Sequence, residues 1–194
     1  MHPVLIVLAS ASHYRRSLLE RLRLPFEARN PSVDETLLPG EAAPDAALRL
    51  AQAKARTVAP FYPQALVIGS DQVAALDGAC LGKPGSHERA VAQLQAMRAK
   101  SVVFHTALAL LNTKTGAMQT AVVPTTVRFR PYSDDEIVRY LELEKPYDCA
   151  GSAKIEALGV VLVERVTGDD PSALIGLPLI QLAAMLRKEG VSIV

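Results

Sequence analysis

Hydrophobic and polar positions along the chain divide it into short strand-like runs and longer amphipathic stretches. Val4-Leu5-Ile6-Val7-Leu8 is continuous, apolar and β-branched, which predicts a buried strand. Small residues follow, and Leu18, Leu19 and Leu22 then mark one side of a helix with Ser12 as its N-cap. Asn30 to Thr36 is polar and begins with turn residues, so it reads as a loop. Pro44-Asp45 opens a helix with a stripe of Leu48, Ala51, Ala55 and Val58, with Lys54 on its flank and Pro60 at its end.

Residues 65–76 predict a long strand running into Asp77-Gly78, a strong hairpin signal, and returning through Ala79-Cys80-Leu81. Ser86 caps a helix with Val91, Leu94 and Met97 inside. Residues 102–111 and 121–130 form an antiparallel pair, with Thr126, Arg128 and Arg130 on its wet face. Ser133-Asp134-Asp135-Glu136 is a capping box for a helix carrying Ile137, Tyr140 and Leu141, stopped by Pro146. Residues 147–156 follow neither period and read as a shaped loop, after which Val160 to Val163 reads as a strand. Thr167 to Pro171 is a tight turn. The last helix starts from Gly176-Leu177-Pro178, turns Leu179, Leu182, Ala183 and Leu186 inward, and ends at Gly190.

No linker, repeat or low-complexity tract interrupts this order, so residues 1–194 read as one domain, with room for two lobes. A net charge of +1 supplies no broad basic field for duplex nucleic acid, so any phosphate binding has to be local. The apolar N-terminal run is too short to span a bilayer and lacks a basic leader, which together with two widely spaced cysteines, Cys80 and Cys149, fits a reduced, cytoplasmic setting without a membrane anchor.

The candidate chemistry lies in acids and cations at strand ends. Asp71 stands between apolar segments, where a carboxylate needs a metal, a cation or backbone N–H groups as partner. Arg15 and Arg16 sit in the first turn of a helix, next to its positive dipole end, a placement that favours an anionic ligand. Lys83 follows the hairpin and comes near Asp71 if the hairpin bends, or else lies in an exposed turn. Lys54 by itself reads as a snorkelling lysine, and Asp34, Glu35 and Glu156 as solvated loop acids. His2, His13, His87 and His105 lack zinc spacing, and no nucleophile elbow, Walker A or dinucleotide fingerprint is present. Carboxylates with lysines and arginines suit hydrolysis of a phosphoanhydride.

Six short motifs then carry a resemblance: Ala9-Ser10-Ala11-Ser12-His13-Tyr14-Arg15-Arg16-Ser17-Leu18-Leu19, Val33-Asp34-Glu35, Gly69-Ser70-Asp71, Gly82-Lys83-Pro84, Ala150-Gly151-Ser152 and Gly176-Leu177-Pro178. In this order over the whole chain they resemble the Maf family of nucleoside triphosphate pyrophosphatases. The resemblance implies a mixed α/β fold of the inosine-triphosphatase-like (Maf/Ham) kind, with a mixed sheet, flanking helices and two lobes around a cleft. It implies cleavage of a nucleotide to its monophosphate and pyrophosphate with a divalent metal (Mg, Mn or Co), and a homodimer. It assigns Asp71 as proton acceptor, Glu35 with Asp71 to the metal, and Ser10, Arg15, Lys54 and Lys83 to the triphosphate, to which Arg16 is added from its place in the first turn of the helix. Tyr14, Gln72 and Glu156 fall at positions that distinguish subgroups and are similar to those of the 7-methylguanosine triphosphate pyrophosphatases. His13 departs from the family's usual proline, and Tyr14 from this subgroup's tryptophan. A cationic base stacking on Tyr14 and facing Glu156 makes physical sense of the subgroup. Broader removal of noncanonical purine triphosphates, and nucleotide sensing without turnover, stand as the alternatives.

Overall fold

Seven strands form one sheet in the computed structural model, which describes residues 4–194, so that His2 lies outside the described residues. Strands β1 (Leu5–Ala9), β2 (Phe26–Arg29), β3 (Ala65–Leu76), β5 (Ser101–Asn112), β6 (Met118–Phe129) and β7 (Val163–Gly168) lie in the order β2-β1-β3-β5-β6-β7, with β4 (Ala79–Leu81) hairpinned onto β3. β1 runs parallel to both β2 and β3, and every other pairing is antiparallel. The hairpin expected at Asp77-Gly78 is present, with φ of 50° and 84°, the positive values that a two-residue turn of matching twist requires.

Parallel strands need helices on both faces, and β1 has them. Helix α2 (Ala43–Val58) covers one face with a stripe rich in alanine, while α1 (His13–Glu20) and α5 (Leu179–Lys188) cover the other with leucines. At the far end of the long strands, α3 (His87–Met97), α4 (Asp134–Glu144) and Leu162 enclose a separate core around Phe104, Phe129 and Tyr132. Two packed bodies thus share β3, β5 and β6. Helices α1, α3 and α4 carry the expected serine caps, and that of α4 is a complete capping box. No helix among the described residues is long and apolar enough to cross a membrane.

Between the two bodies the sheet opens. One edge of β3 pairs with β5 from Leu66 to Leu76, but on the other edge β1 accompanies it only to Ile68 and β4 joins only at Ala74. Residues 69–73 face a gap, because β1 ends at Ala9 and turns away into α1. A ligand can reach the sheet there, at the carboxyl end of a parallel strand where the connectivity changes direction.

Side chains alternate along β3, so Val67, Gly69, Asp71 and Val73 look toward α2 while Ser70 and Gln72 look the other way. Gly69 permits the close approach: a Cβ there would come 2.1 Å from the Ala51 carbonyl oxygen and 2.9 Å from the Ala55 nitrogen, both backbone atoms of α2. Gly69→Ala therefore has to displace a packed helix. We expect it to lower stability by about 2–3 kcal/mol in denaturant titration, and to weaken activity too, since α2 carries Lys54.

Two expectations change. Lys54 lies on the buried stripe of α2 with Leu50, Ala51 and Val58, not on its flank, while Leu48 is only half-buried. Val160 to Leu162 belong to a 3-10 turn (Leu158–Leu162), with Val160 and Val161 exposed, and the strand begins at Val163. Pairing decides this: β6 offers Phe129 to Val163, and Leu162 only accepts the Arg130 N–H. A short apolar run carries no signal for where its partner strand stops.

Candidate active site

Asp71 stands in the gap, 7% exposed, and aims at α2. Lys54 meets it there, 4% exposed, with Nζ 2.6 Å from Asp71 Oδ1. The same ammonium lies 2.5 Å from Glu35 Oε1, and Lys83 Nζ reaches Glu35 Oε2 at 3.1 Å from the opposite wall. Of the partners expected for Asp71, a metal, a cation or backbone N–H groups, the fold supplies a buried cation. The hairpin also brings Lys83 to the site, through Glu35.

Partial burial pushes the Glu35 carboxyl up, but the hydrogen bond and charge of Lys54, and then those of Lys83, outweigh it and hold it down at about 2. Glu35 is ionised throughout the physiological range. Its loop is fixed from outside: Arg49 pairs with Glu41 through Nε and Nη2 at 2.6 and 2.7 Å and donates from Nη2 to the Thr36 carbonyl at 3.2 Å. Asp34 closes the same turn by accepting from the N–H and hydroxyl of Thr36.

The small-residue turn after β1 is held by Ser10, whose Oγ accepts the Ser12 N–H at 3.1 Å, and Ser12 in turn caps Arg15. Arg15 is half-buried and donates from Nε to the Gly176 carbonyl at 2.8 Å, an oxygen that Ser70 Oγ also reaches at 2.9 Å. Loss of water lowers the Arg15 pKa, and the facing charges of Asp71 and Glu35 raise it again. Arg16 is not brought to this group. It is exposed on the outside of α1, with its guanidinium 6.0 Å from the Phe26 ring centre.

These residues floor a cleft of about 750 Å3, a size suited to a nucleotide-like ligand. Tyr14 and Glu156 line its outer part. Lys154 holds Glu144 at 2.8 Å and sets its ammonium 5.5 Å from the Tyr14 ring centre, and the ring of the adjacent His13 lies 3.8 Å from that of Tyr14. Glu156 sits on the rim, and the loss of water on its cleft side pushes its carboxyl up. Gln72 also borders the cleft, but its amide nitrogen is engaged by the Thr106 hydroxyl and the carbonyls of Ala173 and Leu174. It pins the turn that leads to Gly176.

Among the described residues no three of His, Cys, Asp and Glu gather as a metal cluster. What exists is a pair of carboxylates converging on one ammonium. Two converging carboxylates fit a hard divalent cation that takes its remaining ligands from phosphate oxygens and water. Sequence reasoning missed Gly176 as the anchor of Arg15, Ser70 as the residue that ties Gly176 to the sheet, and Arg49 with Glu41 as the brace of the Glu35 loop. The Gly176 φ of 121° is the one trace of that anchor a sequence could carry, as an obligatory glycine.

A family model described as Maf-like protein matches residues 5–189. Proteins named 7-methyl-GTP pyrophosphatase from Aromatoleum aromaticum, Thiobacillus denitrificans and Methylobacillus flagellatus are 61%, 59% and 57% identical to this chain, covering 95%, 97% and 97% of it and 95%, 94% and 98% of their own lengths. Among solved structures, a HAM1 protein from Coxiella burnetii aligns with a TM-score of 0.57 at 18% identity, covering 95% of this chain and 99% of that one. That likeness concerns the fold, and it agrees with the inosine-triphosphatase-like architecture expected from the motifs. The chain belongs to the Maf-like protein family.

Proposed function

We propose that this cleft hydrolyses the anhydride between the α- and β-phosphates of a nucleoside triphosphate, 7-methyl-GTP foremost, giving the monophosphate and pyrophosphate. The observation that carries the reading is the buried Lys54 ammonium between Asp71 and Glu35, with Arg15 and Lys83 on the surrounding walls. The names of relatives 57–61% identical over almost the whole chain support the same substrate.

In this reading Asp71 accepts the proton of the water that attacks the α-phosphorus. The water oxygen becomes part of the monophosphate, and the bond to the bridging oxygen breaks toward pyrophosphate. Arg15, Lys54 and Lys83 neutralise charge that builds on the departing pyrophosphate, which is where fixed cations lower a barrier most. Glu35 and Asp71 would hold a divalent cation, whose chemistry when bound is to neutralise phosphate charge and polarise the reacting oxygens. Glu35 also keeps Lys54 and Lys83 at one place. Ser10 shapes the turn where the phosphates enter. Residues 1–194 act as one catalytic domain in this account.

The base lies at the outer end, beside Tyr14. Lys154 already borders that ring, but Glu144 neutralises it, and Asp148 and Glu156 add negative charge to the cleft wall. An acidic surround with an aromatic face suits a base made cationic by methylation, worth about 0.5–2 kcal/mol for the stacking component. A panel of nucleoside triphosphates read by pyrophosphate release tests the selectivity. We expect kcat/KM for 7-methyl-GTP to exceed that for GTP by about tenfold. Equal values, or faster cleavage of thymidine or uridine triphosphates, would remove the base assignment.

A further inference from the structure

Lys83 is an exposed side chain on the loop between β4 and α3, so the place its ammonium reaches depends on how that loop is held. The Gly85 N–H donates to the Tyr147 carbonyl at 3.0 Å. Two further ties meet at the Gly82 carbonyl, immediately before Lys83: Gln93 Nε2 of α3 donates to it at 2.9 Å and the Gly151 N–H at 3.4 Å. The opposite end of the same side chain, Gln93 Oε1, accepts from Ser152 Oγ at 2.5 Å. Ser152 is buried within the segment whose Ala150, Ala153, Ile155 and Glu156 line the cleft.

Gln93 thus links two loops that approach the cleft from different parts of the sequence. It is half-buried on α3, at the edge of the face that Ala90, Leu94 and Met97 bury. The partner is unusual. Ser152 is buried at a φ of 55°, directly after Gly151 at 70°, a left-handed backbone that a non-glycine residue keeps only where its surroundings fix it. Ser152 is fixed at three points: its N–H donates to the Cys149 carbonyl, its hydroxyl to Gln93, and its carbonyl accepts from the Tyr140 hydroxyl.

We propose that Gln93 is a positioning residue that sets Lys83 and the wall at 150–156 in register, so that the cation for the phosphates and the surface for the base are placed together. The inference rests on the reading of the cleft given above. Gln93 touches no reacting atom; it acts through the loop that presents Lys83.

The test is a double-mutant cycle on Gln93→Leu and Lys83→Ala, with two readouts: kcat/KM for 7-methyl-GTP and the affinity for inorganic triphosphate by calorimetry. Gln93→Leu alone should lower both by about tenfold; with Lys83 already alanine its effect on triphosphate affinity should fall below twofold, while kcat/KM for 7-methyl-GTP keeps the part of the loss that comes from the wall at 150–156. Additive effects on triphosphate affinity, or an unaltered Gln93→Leu protein, would overturn the proposal. Where Gln93→Leu does not fold, Ser152→Ala cuts the far end of the same link and runs through the same cycle. A protein that cleaves no nucleotide sinks the hydrolase reading, while the triphosphate-binding cycle still decides the role of Gln93.

Discussion

Asp71→Asn is expected to lower kcat by about a thousandfold, the scale of a lost general base, with KM and the thermal midpoint little changed. The substitution keeps the shape of the side chain, and Lys54 retains an oxygen to bond in place of Asp71 Oδ1. It removes the capacity to take a proton from water. The surrounding cations, Arg15, Lys54 and Lys83, remain and still bind the triphosphate, so substrate affinity persists while turnover stops. This pattern separates the proposed role from a structural one. A carboxylate that only balanced Lys54 would, once neutralised, leave Glu35 as the one charged partner of that buried ammonium and cost stability without a thousandfold loss of kcat. Near-normal pyrophosphate release by the purified variant would remove Asp71 from the chemistry.

Lys54→Met should cost about a hundredfold in kcat/KM, as one cation of a phosphate clamp is withdrawn. It also leaves Asp71 and Glu35 facing each other without the ammonium they share. Breaking a buried pair in this way is expensive, about 3 kcal/mol here, toward the lower end of the usual range because Glu35 is partly exposed. The more telling outcome concerns metal. Two carboxylates freed of their lysine offer a divalent cation a position that Lys54 occupies in the unliganded protein. Millimolar magnesium should therefore raise the thermal midpoint of Lys54→Met by about 3 °C more than that of the natural protein. Identical metal responses, with nucleotide absent, would mean that Asp71 and Glu35 do not form a common cation site.

How much of this was legible beforehand depends on how local each cause is. The β3–β4 hairpin follows from Asp77-Gly78, and the start of α4 from Ser133 and Glu136, since the residues that make each feature are neighbours in the chain. Strand β3 was visible from Ala65 to Leu76 because its apolar run is long. The gap that exposes Asp71 was not visible, because it arises from where β1 and β4 stop, on segments far from it in sequence. Lys54 illustrates the same limit. Helical period places it close to the stripe, but only the acids of two other segments make burial of its charge tolerable, and they are 17 and 19 residues away. Motifs named Asp71, Glu35 and Lys83, the family resemblance added Lys54 from outside them, and the fold gathers all four within hydrogen-bonding distance of a partner. Arg16 shares a motif with Arg15, yet one step along a helix turns a side chain by about 100° and leaves Arg16 on the outer surface. Gln72 adjoins Asp71, but successive strand residues face opposite ways, and it serves the turn at residues 173–176 instead.

Which phosphoanhydride bond breaks distinguishes a pyrophosphatase from a phosphatase. Incubation of the purified protein with 7-methyl-GTP and magnesium, followed by phosphorus NMR of the products, reports this directly. The prediction is 7-methyl-GMP and pyrophosphate in equal amounts, with neither formed by Asp71→Asn. Release of orthophosphate with a nucleoside diphosphate, or intact nucleotide after prolonged incubation, would contradict it.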